Sequence, residues 1–574
     1  LPMHLGLPTR SVHGLPIIEH AEFGRNVPDE AMPDEDKMNL GKIYHMGKEE
    51  AAGLLLNRQA MASHTFITGS TGTGKSNAVY HLLDEITKNG QTTFLVVEPA
   101  KGEYKNVFGN CTDVQVFGTN PRETPLLRMN PFAFPENIHI LEHIDRLVEI
   151  FNACWPMYAA MPAVLKDAIE RSYQKVGWDL RNSESEKGVF PTFFDLLDIL
   201  PGVIEESHYS KDTQSDYVGA LCTRVKSLTN GIYGSVLCAE DALSDAEMFD
   251  QNVIVDLSRV GSMETKSLLM GILVMKLQEY RMCSSGMNSR LRHVTVLEEA
   301  HNLLRKTSAE QSQEGANLQG KSVEMLANAI AEMRTYGEGF IIADQAPGLL
   351  DMSVIRNTNT KIILRLPDEE DRKLVGKSAA LKEAQIDELS KLPLGVAAVY
   401  QNEWPEAVLC KIEAYPMPEN AVYHKPSKMP HEINAEFVFG QLAVGKELKP
   451  LSSSEMEQLK LWLKRHETVL KPEDSRYLER VFAGGELDVA KTRKAVFDFF
   501  GGIGTVVDYC AAAKKSLTPR KEFLEQLQGQ YGLKAAAADW VLNSVISMGM
   551  SLNPDAKAVD NLRTNFEQQG GRVL

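Results

Sequence analysis

The stretch that decides the fold is residues 65–76, which read TFITGSTGTGKS. Its first four residues are apolar or β-branched, as expected of a buried strand, and apolar residues recur at helical spacing after residue 76. The eight residues between strand and helix match the pattern G-x-x-x-x-G-K-[ST] of a phosphate-binding loop. The stretch therefore predicts an α/β protein with a nucleotide site at the end of a strand.

The residue types in this loop are those that phosphate binding needs. Glycines let successive backbone N–H groups face the phosphates, and a helix N-terminus favours an anion. Lys75 is predicted to contact the β- and γ-phosphates of ATP, and the Ser76 hydroxyl to be a ligand of Mg²⁺. The predicted nucleotide-binding residues are Gly69, Ser70, Thr71, Gly72, Thr73, Gly74, Lys75, Ser76 and Asn77.

A second strand supplies the acidic groups that such a site requires. Residues 294–301 read VTVLEEAH, an apolar run that ends in two adjacent carboxylates. Glu298 is predicted to hold the magnesium ion, directly or through water, and Glu299 to polarise the attacking water as a general base. His301 has no metal-binding spacing around it and is interpreted as a helix-start or core-edge residue.

Strand and helix patterns alternate over much of the chain. Strand-like runs lie at 253–257, 294–297, 340–343 and 361–366, with helical patterns such as 265–280 between them. This alternation predicts a parallel sheet covered on both faces.

The predicted organisation has three parts. They are an irregular lead-in segment (1–56), an ATPase domain (57–415) that contains a helical insertion (136–247), and a C-terminal helical domain (416–574). The polar residues 306–321 are predicted to form a loop.

Composition narrows the class of protein. The chain has 574 residues, 43% hydrophobic and 24% charged, which predicts a soluble globular protein of two or three domains. A net charge of −16 argues against a simple basic DNA-binding module, although a ring could hold DNA through local basic loops. Seven scattered cysteines without C-x-x-C spacing argue against disulfides or structural zinc. The same cysteine pattern favours a reducing cytoplasm. With no apolar run of membrane-spanning length, we expect no membrane insertion.

Several motifs together resemble the HerA group of the HerA/FtsK superfamily. They are the loop GSTGTGKS, the strand ending LEEAH, a later strand ending in residues 343–347 (ADQAP), and the stretches 127–132 (LRMNPF) and 253–258 (VIVDLS). The resemblance covers roughly residues 39–412. It implies a RecA-like P-loop core and a ring-shaped, usually hexameric ATPase that translocates on double-stranded DNA. It also implies a nuclease partner of NurA type, or a sirtuin-like or other effector in antiphage defence.

The resemblance also suggests roles for two further residues. Gln345 falls where the family has a polar residue that senses the γ-phosphate or the attacking water, and an amide can donate to one and accept from the other. Arg334 precedes Gly337 where the family carries an arginine finger, a guanidinium that neutralises charge on the transferred phosphoryl group. Arg356 and Arg365 are rivals for that role.

The predicted protein is thus an ATP-driven, double-stranded DNA translocase or helicase-like motor that assembles as a homo-hexamer. Its predicted catalytic residues are Lys75, Glu299, Gln345 and Arg334, with ATP and Mg²⁺ bound. Two alternatives stay open. One is an ATPase of the conjugation or secretion type, and the other is an ATP-binding scaffold that assembles and regulates an effector nuclease.

Overall fold

The chain divides into two compact units, Leu1–Lys425 and Pro426–Leu574. The computed structural model describes residues 20–28, 32–158, 160–185, 188–239, 242–307, 318–417, 421–425, 433–444, 448, 450–451, 453–466, 469–514, 516, 518–553 and 555–573.

Among the described residues, the strands all lie in the first unit. They are β1 (Lys37–His45), β2 (Lys48–Asn57), β3 (Thr65–Thr68), β4 (Thr93–Glu98), β5 (Val114–Gly118), β6 (Trp178–Asp179), β7 (Glu184–Ser185), β8 (Asn252–Asp256), β9 (His293–Glu298), β10 (Glu338–Asp344), β11 (Thr360–Ile363), β12 (Val396–Gln401) and β13 (Val408–Ile412).

The helices are distributed over both units. Those of the first unit are α1 (Lys75–Thr87), α2 (Tyr104–Phe108), α3 (Ile140–Cys154), α4 (Met161–Lys175), α5 (Phe193–Glu206), α6 (Lys211–Tyr217), α7 (Thr223–Thr229), α8 (Gly231–Leu237), α9 (Asp245–Phe249), α10 (Met263–Ser284), α11 (Leu318–Glu332), α12 (Met352–Arg356), α13 (Glu369–Ser378) and α14 (Glu383–Glu388). Those of the second unit are α15 (Ala435–Val444), α16 (Ser453–Arg465), α17 (Pro472–Phe482), α18 (Val489–Phe499), α19 (Gly502–Ala512), α20 (Pro519–Tyr531), α21 (Ala535–Leu552) and α22 (Ala556–Gln568).

One large sheet organises the first unit, with the strand order β2-β1-β13-β12-β11-β3-β10-β9-β4-β8-β5. The seven strands from β11 to β5 are parallel, whereas the four from β2 to β12 are antiparallel to their neighbours. The central strand β3 carries the phosphate loop and lies between β11 and β10. The predicted α/β fold, with a helical C-terminal part, is confirmed.

Both faces of the parallel region are covered. On β4, Leu95 and Val97 face one apolar cluster, and Phe94 and Val96 face another on the opposite side. The first cluster contains helices α3 and α10, and the second contains α1. Strands buried on both faces read as continuous apolar runs, which is why their sequence pattern indicated a parallel sheet.

The prediction that residues 1–56 are irregular was wrong for their last third. Residues 37–57 form β1 and β2, and β1 pairs antiparallel with β13, bringing Gly41 opposite Ile412. Two irregularities in the β1–β2 pairing, at 39/41 and 42/44, interrupt the alternation of inward and outward side chains. That interruption removes the period-two signal by which a half-buried strand is found.

Between β5 and β8 the chain is mostly helical, from α3 to α9, with the small hairpin β6–β7. The polar residues 306–321 fall largely outside the described residues, and α11 begins at Leu318, inside the predicted loop. Within the described part of the chain, no single helix has both the length and the apolarity to cross a membrane. Helices α18 and α19, which are bent by 69° relative to each other, are together long and apolar enough to cross a membrane, judged by length and composition alone.

Candidate active site

The phosphate loop is a hydrogen-bonded turn at the carboxyl edge of the parallel strands. Gly72 (φ 75°) and Gly74 (φ 105°) adopt left-handed backbone conformations that other residues rarely take. The amide and hydroxyl of Ser70 both donate to the Arg365 carbonyl, at 3.0 and 3.1 Å, and Gly395 donates its amide to Thr73, at 3.0 Å. These hydrogen bonds stabilise the loop as it leads into the first turn of α1, where N–H groups without helical partners suit an anion.

Four of the predicted residues form one connected cluster above this loop. Lys75 Nζ donates to Glu299 Oε1 at 3.2 Å, and both side chains are about nine-tenths buried. The Gln345 amide donates to the same carboxylate oxygen, and the Thr71 hydroxyl donates to Gln345 Oε1 at 2.6 Å. The structure thus links the loop to the ends of β9 and β10 through Thr71, Gln345, Glu299 and Lys75.

The two adjacent glutamates point to different partners because of the backbone between them. Glu298 is the last residue of β9, and Glu299 has a left-handed φ of 45°. Such a conformation costs a non-glycine residue on the order of 1–3 kcal/mol and persists where surrounding contacts demand it. Glu298 accepts a hydrogen bond from the Tyr104 hydroxyl at 3.2 Å, whereas Glu299 turns to Lys75. Burial raises the pKa of Glu298, with Lys75 opposing the rise and Glu299 adding to it.

The sequence analysis missed two further carboxylates at the same edge. Glu98 ends β4 and accepts the amides of Glu103 and Tyr104, at 2.7 and 3.1 Å, and burial raises its pKa to about 8. Asp256 ends β8 and accepts from Lys105 Nζ at 2.6 Å. Their position was a usable signal, since the carboxyl ends of parallel strands meet along one edge of a sheet.

A histidine–aspartate pair also adjoins the site. Asp344, fully buried at the end of β10, accepts from the His301 amide at 2.8 Å and lies 2.9 Å from His301 Nδ1. The hydrogen bond to Asp344 raises the pKa of His301, whose Nδ1 is 3.5 Å from the second oxygen of Glu299. His301 was predicted to start a helix or to lie at the edge of the core; it is the second residue of a short helical turn (Ala300–Asn302), and it contacts the site.

The structure separates the three candidate arginines. Arg334 lies in the turn before β10, at the amino edge of the sheet, and shares a groove of about 520 Å³ with Arg356. The seven residues of β10 rise about 3.3 Å each, so roughly 20 Å separates Arg334 from the site of its own chain. Arg365 follows β11 beside the loop, and its side chain is exposed.

Asn77, predicted to bind the nucleotide, has a different set of contacts. Its side chain donates to the Glu413 carbonyl at 3.0 Å and accepts the Tyr415 amide at 2.9 Å. It therefore ties α1 to the segment after β13 and does not join the cluster around Glu299.

The predicted magnesium ligands fit the ion chemically. The Ser76 hydroxyl at the start of α1 and the Glu298 carboxylate at the end of β9 are hard oxygen donors, the type that Mg²⁺ prefers. Glu298 is 4% exposed, and its pKa is raised, so its environment leaves the charged form under-compensated. A cation at this carboxylate would supply the missing compensation.

The chain is similar in sequence to known helicases. Residues 38–277 match the family model described as Helicase HerA, central domain. The "DNA double-strand break repair helicase HerA" of Sulfolobus acidocaldarius is 26% identical over 393 residues, which cover 66% of this chain and 69% of the relative. The "Probable helicase MJECL08" of Methanocaldococcus jannaschii is 23% identical over 436 residues, covering 69% and 76%.

Among solved structures, VirB4 of Thermoanaerobacter pseudethanolicus matches with a TM-score of 0.51 and 19% identity, over 67% of this chain and 98% of that one. This likeness shows the shared fold. The fold and the phosphate loop together define a P-loop NTPase. The resemblance to the HerA-type ATPases, predicted from the motifs, is confirmed by the family and sequence matches.

Proposed function

We propose that this protein is an ATP-driven motor that moves along double-stranded DNA as a homo-hexameric ring. The observation that carries the proposal is the cluster in which Lys75, Glu299, Gln345 and Thr71 are joined by hydrogen bonds at the phosphate loop. Two thirds of the chain resemble proteins whose names describe them as DNA double-strand break repair helicases. ATP hydrolysis coupled to DNA movement is the activity that joins these two observations.

The residues of the chain divide the work of hydrolysis. Loop amides and Lys75 bind the phosphates, and Lys75 then exchanges its contact with Glu299 for a phosphate oxygen. The freed Glu299 carboxylate accepts a hydrogen bond from the attacking water and orients it in line with the γ-phosphate. Mg²⁺, held by Ser76 and Glu298, would neutralise charge on the β- and γ-phosphate oxygens.

Gln345 is suited to report whether a γ-phosphate is present. Its carbonyl accepts from Thr71 in the loop, and its amide donates to Glu299. A phosphate that displaces the Thr71 hydroxyl breaks the first contact, and one that draws Lys75 away from Glu299 changes the charge environment of the carboxylate in the second. Gln345 would therefore couple the presence of a phosphate in the loop to the position of the carboxyl end of β10.

The positions of the arginines support a ring. Arg334 and Arg356 share a groove at the amino edge, roughly 20 Å from the phosphate loop of their own chain. A guanidinium at that edge reaches a nucleotide only if the nucleotide belongs to a neighbouring copy. We assign the finger role to Arg334, with Arg356 as its rival. The hexameric state, a NurA-like, sirtuin-like or other effector nuclease, antiphage defence and the cytoplasmic location remain predictions of the family resemblance and composition.

The proposal is tested by steady-state ATP hydrolysis with and without linear double-stranded DNA, with particle mass measured on the same samples by light scattering. We expect DNA to stimulate hydrolysis in a ring-sized particle, and Glu299→Gln to abolish it. Hydrolysis that ignores DNA would contradict the motor and favour the secretion-type ATPase. Hydrolysis that requires a partner nuclease would favour the scaffold.

A mixing experiment tests whether Arg334 acts on a neighbouring copy. Lys75→Ala and Arg334→Ala should each be inactive alone, but mixed rings should regain activity. At equal amounts, roughly a quarter of the sites would combine an intact Lys75 with a neighbour's intact Arg334. The same experiment with Arg356→Ala in place of Arg334→Ala tests whether Arg356 is the arginine finger.

The matched control is a mixture of the Lys75→Ala protein and the Glu299→Gln protein. Both residues serve the site of their own chain, so no mixed site is complete and no activity should return. If Arg334→Ala likewise fails to complement Lys75→Ala in rings shown to exchange subunits, Arg334 does not act in trans.

A further inference from the structure

We propose that Tyr104 is a positioning residue for Glu298: its hydroxyl holds one carboxylate oxygen so that the other is presented to Mg²⁺. The inference rests on the proposed role of Glu298 as a magnesium ligand, and it adds a residue that neither the motifs nor the comparisons identify.

The contact itself is specific and buried. The Tyr104 hydroxyl donates to Glu298 Oε1 at 3.2 Å, from a residue 194 positions away in the chain. Tyr104 is 1% exposed and Glu298 is 4% exposed. At neutral pH a phenol keeps its proton, so the hydroxyl is a permanent donor to this oxygen. One of the two carboxylate oxygens is thereby occupied before any ion arrives.

The tyrosine is itself held from two directions. Glu98 at the end of β4 accepts the amides of Glu103 and Tyr104 and so fixes the start of α2. The Tyr104 ring meets the Tyr80 ring edge to face, with centroids 5.0 Å apart. Tyr80 lies on α1, the helix that begins with Lys75 and Ser76. The hydroxyl is therefore placed by the neighbouring strand and by the phosphate-binding helix together.

This arrangement has a consequence for metal binding. A glutamate has three rotatable side-chain bonds, and a ligand that is already oriented loses less freedom when the ion binds. Hydrogen-bonded partners of metal ligands typically contribute 10- to 100-fold in metal affinity. Tyr104 would act through Glu298 in this way, without touching the nucleotide.

The test uses Tyr104→Phe in the full chain, which removes the hydroxyl and keeps the ring. Mn²⁺ binding is measured by electron paramagnetic resonance in the presence of a non-hydrolysable ATP analogue. We expect about a tenfold weaker Mn²⁺ affinity, at the lower end of such effects. Binding of a fluorescent ATP analogue without metal should be unchanged, which also shows that the variant is folded.

Tyr80→Phe is the matched control. Its hydroxyl lies 3.5 Å from Glu103 and has no contact with Glu298 among the hydrogen bonds of the described residues, so its Mn²⁺ affinity should equal that of the unsubstituted protein. In a Glu298→Gln background, Tyr104→Phe should cause no further loss, because the tyrosine acts only through that carboxylate.

The outcomes distinguish the positioning role of Tyr104 from the assignment of Glu298 as a magnesium ligand. If Glu298→Gln weakens Mn²⁺ binding and Tyr104→Phe does not, the positioning role is overturned while the ligand assignment stands. If Glu298→Gln has no effect, the ligand assignment in the proposed mechanism is wrong, and the role of Tyr104 is overturned with it. Neither result depends on whether hydrolysis is coupled to DNA.

Discussion

The two edges of the parallel sheet bury carboxylates in different ways. At the amino edge, Glu338 accepts from Arg281 Nε at 2.9 Å and from the Thr295 hydroxyl at 2.8 Å, and lies 2.7 Å from His293 Nδ1. All four residues are at most 1% exposed. At the carboxyl edge, Glu298 is nearly as buried, but the side-chain partner described for it is the neutral phenol of Tyr104.

The pKa values move in opposite directions as a result. Burial acts against ionisation of Glu338, but His293 and Arg281 outweigh it and hold the pKa of Glu338 below its usual value. Burial dominates at the other edge and raises the pKa of Glu298, and that of Glu98 to about 8. At the amino edge, charged partners within the protein compensate the buried carboxylate of Glu338. At the carboxyl edge, burial outweighs the partners of Glu298, and a bound cation would favour the charged form of this carboxylate.

The largest effect is expected from a substitution at the carboxyl edge. Glu299→Gln removes the general base and should lower ATP hydrolysis by at least about 100-fold, in the range usual for loss of such a group. Nucleotide affinity should change little, because Lys75 and the loop are retained. Steady-state hydrolysis and fluorescent nucleotide binding measure the two quantities. Hydrolysis within a fewfold of the unsubstituted protein would show that Glu299 is not the base.

The corresponding change at the amino edge should damage stability. Glu338→Gln leaves Arg281 and His293 facing a neutral group in a buried site, and should lower the free energy of unfolding of its unit by about 3 kcal/mol. Denaturant unfolding of the full chain gives the measurement. The exposed Glu332→Gln, six residues away, is the control and should stay within about 0.5 kcal/mol. Equal stability of the two variants would refute a structural role for the Glu338 network.

A smaller effect, on the pH dependence of stability, is expected at the amino edge. His64, before β3 at the amino edge, accepts the Phe340 amide at 3.0 Å, and burial lowers its pKa to about 4. The folded chain thus keeps His64 neutral while the unfolded chain protonates it below about pH 6.5, so this contribution is present above pH 6.5 and is lost as pH falls towards 4. Between pH 7 and 5 the loss should be about 2 kcal/mol.

His64→Asn is the variant that isolates this effect. His64 has φ 66° and ψ 154°, a backbone conformation that strains histidine and asparagine alike, so the substitution leaves this cost in place. Asparagine offers an oxygen to the Phe340 amide, but it does not titrate. Unfolding of both proteins at pH 7 and pH 5 measures the difference. If the variant loses as much stability on acidification as the unsubstituted protein, His64 is not the group responsible.

Features encoded by residues close together in the chain could be predicted from the sequence, whereas features that depend on distant residues could not. Strand, loop and α1 were predictable because one run of consecutive residues encodes all three, and Glu298 and Glu299 because they end an apolar strand. Residues 37–57 were not recognised as strands, since irregular pairing removed their alternation. Tyr104 was missed because its role depends on a contact with a residue 194 positions away.

By itself the sequence determined the phosphate loop, its lysine and serine, and the parallel class of the sheet, because these follow from residues that are neighbours in the chain. The tertiary structure decided which side chains meet there. The strand order places β10 beside β3 and β9 beside β10, which brings Gln345 and Glu299 to Lys75. The same order puts Arg334 at the far edge, because a strand carries the residues before and after it to opposite edges of the sheet.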